Sequence, residues 1–161
     1  KPDGTYQNSM LFQANYKIIV SDGAFFPLDT VVIQVGANTE QNFTVEPFLT
    51  VTDVTVTPAA GKITASYKIA RSKVGAKIVE RKTLVSDVPT VSNAVYRLKT
   101  ETNLSAIPDA DILSATYTDV VDQIANIQLV SGKTYYERVA VLVTNAAKSY
   151  NYSETFAVTI P

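Results

Sequence analysis

Along residues 62–69 apolar and polar side chains take strict turns. Ile63, Ala65, Tyr67 and Ile69 alternate with Lys62, Thr64, Ser66 and Lys68. A period of two sets the first group on a core and the second in water, which is the pattern of a half-buried strand. Phe156, Val158 and Ile160 alternate in the same way with Thr155, Ala157 and Thr159. From Tyr135 to Val143 the run is longer and apolar on both faces after Arg138, as a central strand requires. Similar β-branched and aromatic runs recur along the chain, broken by Gly, Pro, Asn and Asp.

This reading predicts strands at 5–11, 16–20, 30–35 and 41–45, with turns at Asp22-Gly23 and Gly36. Glu46-Pro47 then reads as a stiff joint, because proline fixes its own φ and holds the preceding residue extended. Eight further strands are predicted beyond it, at 48–57, 62–69, 77–84, 95–100, 115–121, 125–130, 134–143 and 154–160. Eight strands over about a hundred residues is the count of a β-sandwich. The one helical candidate, Ser105 to Leu113, is short and interrupted by Pro108. The fold class expected is all-β, with two tandem sandwich modules: a partial one over 1–47 and a second over 48–161. The first is expected to lack N-terminal strands, since four strands rarely hold a core without staples. Its apolar face would then be open to self-association.

Composition narrows the chemistry. The 161 residues include no Cys and no His. That removes disulfides, thiolate metal sites, the usual zinc ligand and the base of a Ser–His–Asp or Cys–His set. Trp, the largest stacking platform, is also absent. The net charge is -1, so no global field favours nucleic acid, and neither a cofactor motif nor a metal site is expected. The halves differ: 1–46 is net -3 and 48–161 net +2. A basic run from Lys62 to Lys82 lacks interleaved aromatics and reads as a solvated sheet face.

Leu129, Gly132 and Tyr135 in the stretch LVSGKTYYERV resemble the corner of a fibronectin type III-like domain, where a Tyr six residues after a Leu closes the sandwich edge. Glu137 departs from the alternation, which asks for an apolar residue there. It is expected to find a Lys, Arg or Tyr hydroxyl, or to be turned outward. Asp3-Gly4-Thr5-Tyr6-Gln7-Asn8, Leu11-Phe12, Tyr16-Lys17, Gly23-Ala24-Phe25-Phe26-Pro27 and Phe43-Thr44-Val45-Glu46-Pro47 together resemble the DUF3823 type of Bacteroidetes protein. That resemblance implies a prealbumin or carboxypeptidase-regulatory-like module followed by an immunoglobulin-like one. It also implies a lipoprotein of a polysaccharide-utilisation system at the outer membrane or cell surface, or otherwise a periplasmic protein, with the lipid anchor outside this chain. The partners implied are polysaccharide or components of an outer-membrane transport complex. The family carries no active site to transfer, and no enzyme is expected.

Five local features remain as candidates. Glu80 and Glu137, on neighbouring strands, form a carboxylate pair whose plainer reading is ion pairing with Arg81, Lys82 or Arg138. Asp109-Ala110-Asp111 and Asp119 with Asp122 offer oxygens for Ca²⁺, or are ordinary loop acids. Tyr150-Asn151-Tyr152 sets two rings and an amide for sugar contact, or Tyr152 simply starts the last strand. Phe25-Phe26-Pro27 is a binding patch or an end plug. Asp29-Thr30-Val31 matches a short O-glycosylation pattern, or is a plain strand start.

Overall fold

In a computed structural model the chain is described over residues 5–145 and 147–161. It divides into two compact units. The described part of the first runs over 5–21 and 26–46; the second comprises Asp22–Phe25 and Pro47–Pro161. The four-residue segment 22–25 therefore leaves the first unit and packs with the second.

The second unit is a two-layer sandwich. One layer orders β3 (Thr50–Ala59), β4 (Lys62–Ala70) and β7 (Thr116–Asp122). The other orders β10 (Phe156–Thr159), β8 (Thr134–Val143), β5 (Ile78–Ser86) and β6 (Leu98–Asn103), with β9 (Asn151–Tyr152) also pairing β8. All pairings are antiparallel. The alternation read from the sequence sets the core: Ile63, Ala65, Tyr67 and Ile69 of β4 are buried and meet Ile78 and Val85 of β5 and Tyr135, Val139, Val141 and Val143 of β8. Leu49 joins this core, with Phe48 packed beside it.

Two elements differ from expectation. Residues 125–130 form no strand; a bridge between Ile124 and Ile127 closes a turn there instead. The short helix α1 (Asp109–Ser114) begins directly after Pro108, which stands as its N-cap and does not interrupt it. Proline is suited to helix starts because the N–H it lacks has no intrahelical partner there.

The first unit is thinner. Among its described residues the strands are β1 (Ala14–Ile18) and β2 (Val31–Val35), paired antiparallel with Asn15 opposite Gln34 and Tyr16 opposite Ile33. The predicted strands at 5–11 and 41–45 do not form. Those stretches meet through Tyr6, whose ring lies 6.2 Å from that of Phe43 and whose hydroxyl donates to the Gln41 carbonyl. None of this unit's described residues is fully buried, and Met10 and Phe12 are 87% and 86% exposed.

Candidate functional site

The inward phase of the sandwich carries a polar cluster among apolar walls. Asp119 on β7 lies opposite Ala65 and is 4% exposed. Its Oδ2 accepts from the Tyr67 hydroxyl at 2.7 Å and from Thr83 Oγ1 at 2.9 Å, and its Oδ1 accepts from Arg81. Arg81 also donates to the Tyr67 hydroxyl at 3.1 Å and lies 4.5 Å over the Tyr117 ring. Burial, and then the Asp119 charge, hold the Tyr67 hydroxyl well above its ordinary pKa. Asp119 is thus no loop acid. The sequence signal was available: Arg81 and Thr83 occupy inward positions of β5, where the alternation calls for apolar residues.

Glu137 corrects the expectation of a partner. It is fully buried, and neither carboxylate oxygen has a hydrogen bond. The register explains this, because its cross-strand neighbours are Val85 on β5 and Phe156 on β10, both apolar. Burial pushes its carboxyl up to about 8, and the nearby Asp119 charge adds to the rise. The group is therefore held neutral at pH 7. Glu80 points to the opposite face of the same sheet and accepts from Tyr150, with Lys82 at 3.3 Å. The two carboxylates therefore do not form a pair across one site.

On that outer face, Tyr136, Tyr150 and Tyr152 pack over buried Leu84, Val91 and Ala140. The Tyr150 and Tyr152 rings are 6.1 Å apart and tilted by 42°. Lys82 lies 5.0 Å from the first ring and Arg138 4.5 Å from the second. The Tyr152 hydroxyl accepts from the Asn93 amide at 3.1 Å, and Lys82 donates to the Asn93 side chain at 3.0 Å. Burial and the Glu80 hydrogen bond raise the Tyr150 pKa. Asn151 is engaged elsewhere: its side chain donates to the Ala24 carbonyl at 2.7 Å and accepts from the Leu49 amide at 3.1 Å. The structure therefore keeps the two tyrosines on one half-buried patch and turns the amide between them to backbone.

Tyr135 is 3% exposed and shares a core cluster with Leu129. Its hydroxyl donates to the Gln128 carbonyl at 3.2 Å and accepts from the Val130 amide at 3.1 Å, tying the loop back onto the ring. Gly132 in this corner has φ +76° with open space where a Cβ would stand, so its glycine serves backbone conformation. Pro47 forms a bridge with Phe25 inside the second unit.

Of the remaining candidate acids, Asp111 is exposed in the first turn of α1. Asp109 accepts from Arg71 at 2.8 Å and Lys77 at 2.6 Å, a cation-paired anchor in place of an open ligand. Asp122 ends β7 exposed. Among the described residues no group of three or more acidic side chains is placed to hold a metal ion. Thr30 is exposed, one residue before β2. In the first unit, Gln13, Asn15, Gln34 and Thr39 line an open cavity of about 530 Å³, and none of the described residues on its wall is charged. Sequence reading did not single these amides out.

Together these features define an all-β protein whose larger unit is a two-sheet sandwich with a buried polar network around Asp119 and a lone buried carboxyl at Glu137. Residues 1–46 match the N-terminal domain of the DUF3823 proteins of unknown function, and the resemblance to that Bacteroidetes family stands. Solved structures of DUF3823 family proteins share the fold. One from Bacteroides uniformis has TM-score 0.78 and 22% identity over 99% of this chain and 79% of its own. One from Parabacteroides merdae has TM-score 0.71 and 22% identity, covering 92% and 72%. A second Bacteroides uniformis structure, described as a "putative carbohydrate binding protein", has TM-score 0.72 and 25% identity, covering 96% and 78%. No curated protein matches the chain.

Proposed function

We propose that this chain is a non-catalytic accessory protein of a glycan-uptake system, binding glycan weakly or holding a partner in an outer-membrane complex. The observation that carries the reading is its likeness, over 96% of its length, to the Bacteroides uniformis protein described in carbohydrate-binding terms. The tyrosine patch is compatible with it: two tilted rings, braced by Lys82 and Arg138, offer partly exposed edges to a sugar. On this reading the protein sits at the cell surface through a lipid anchor outside the chain, as the resemblance to the DUF3823 type implies.

A second reading, a structural spacer or adhesion module, is favoured by one specific observation. The Tyr150 and Tyr152 hydroxyls and the Asn151 amide are all taken up by internal hydrogen bonds. A glycan-affinity screen separates the two. The accessory reading expects retention on at least one polysaccharide gel, weakened by Tyr152→Ala. Normal migration on every gel would leave the spacer reading.

A further inference from the structure

The outward face of the β1–β2 hairpin carries a row of carboxamides. Asn15 and Gln34 are cross-strand partners, so their side chains stand on the same face. Gln13 lies two residues before Asn15 and opens onto the same cavity. All three are exposed, and none of their carboxamides is engaged by another described residue. Thr39 adds a hydroxyl, whose oxygen already accepts the Gly36 amide at 2.8 Å and whose proton is left to donate.

We infer that this cavity is a binding site for an uncharged glycan, separate from the tyrosine patch of the second unit. The inference rests on the glycan-binding reading above and names a site and ligand class for it. The chemistry is one of matching. Each carboxamide offers two N–H donors and a carbonyl acceptor, and each sugar hydroxyl both donates and accepts. Three adjacent carboxamides can therefore satisfy neighbouring hydroxyls of one ring in several orientations. Among the described residues none on the wall is charged, so the wall they form does not select for carboxylate, sulfate or ammonium groups. A volume of about 530 Å³ accommodates a short oligosaccharide segment. A Cβ at Gly36 would meet only Thr39 Oγ1, at 3.9 Å, so a side chain placed there enters the cavity without disturbing the hairpin.

The test follows side-chain NH2 resonances of the full ¹⁵N-labelled chain during titration with cellohexaose, laminarihexaose, xylohexaose and mannohexaose. Trigalacturonic acid serves as the anionic control. At least one neutral oligosaccharide should shift the Gln13, Asn15 and Gln34 signals. Asn15→Ala, Gln34→Ala and the cavity-filling Gly36→Leu should each weaken that binding tenfold or more. These three positions are exposed and lie outside the core, and an unaltered circular dichroism spectrum checks the fold. Binding that shifts only signals around Tyr150 and Tyr152, or that survives the hairpin variants, overturns this site and keeps the glycan-binding reading. Tighter binding of trigalacturonic acid overturns the uncharged class. No shift with any neutral oligosaccharide overturns both.

Discussion

The two units use the same strand chemistry to different ends. In the second, alternation on β4 and β8 faces another layer, and residues such as Ile63, Tyr67 and Val139 are wholly removed from water. In the first, the same alternation on β1 and β2 yields only half-buried positions, with Val32 62% exposed on the outward face. A period of two selects a face; burial then depends on what covers it. The lesson is that apolar content alone does not build a core, and the stability of the two units should differ accordingly.

The sharpest way to break that contrast is a matched pair of truncations. Tyr67→Ala removes a fully buried ring and the hydroxyl that donates to Asp119, and should destabilise the second unit by about 3–5 kcal/mol. Ile33→Ala, at a half-buried position, should cost less than about 1 kcal/mol. Site-resolved hydrogen exchange in urea measures both. Equal costs would mean that the units are packed alike.

Next in size is a pH effect confined to the second unit. Glu137 has a folded pKa raised from 4.5 to about 8. Below 4.5 it is protonated in both states and contributes no pH dependence. Between 4.5 and about 8 the folded state holds a proton that the unfolded state has lost. Stability should therefore fall as pH rises through that window, by roughly 1 kcal/mol per unit, and level off above it. Melting temperatures across pH 4–9 check this, and Glu137→Gln should flatten the slope. A wild-type protein whose stability is constant over that range would contradict the neutral, unpartnered carboxyl.

Smaller again is Tyr135→Phe, which should cost on the order of 1 kcal/mol through loss of the hydroxyl's backbone bonds. Chemical denaturation would register it as a lower midpoint with an unchanged slope. Smallest is Val32→Thr on the exposed side of β2, expected within about 0.5 kcal/mol of the parent. A large loss there would show that this face is covered in solution.

How much was legible in the sequence follows the same division. In the second unit β4, β8 and β10 could be read directly, because a buried layer enforces strict alternation. Residues 125–130 misled because the apolar residues there flank a tight turn, closed by Ile124 and Ile127 around Ala125 and Asn126. In the first unit 5–11 and 41–45 carry strand-forming residues, yet lack the ladder that makes propensity into structure. The candidate sites were harder to read. Tyr150 and Tyr152 do share one patch, but nothing in the local order of residues tells that Asn151 turns to Ala24, 127 positions away. The Glu137 environment depended on register: only pairing decides that Val85 and Phe156 flank it.

The segment Asp22–Phe25 carries a consequence for how such proteins are recombined. Its carbonyl at Ala24 receives both the Phe48 amide, at 3.1 Å, and the Asn151 side chain. A gene cut at Pro47 would deliver the sandwich without that acceptor, leaving two donors to seek other partners, one just before β3 and one in β9. No single crossover point in the coding sequence separates the units cleanly. Exchange of N-terminal modules between relatives should therefore succeed only when residues 22–25 travel with the sandwich they belong to, as a grafted insert within the foreign module.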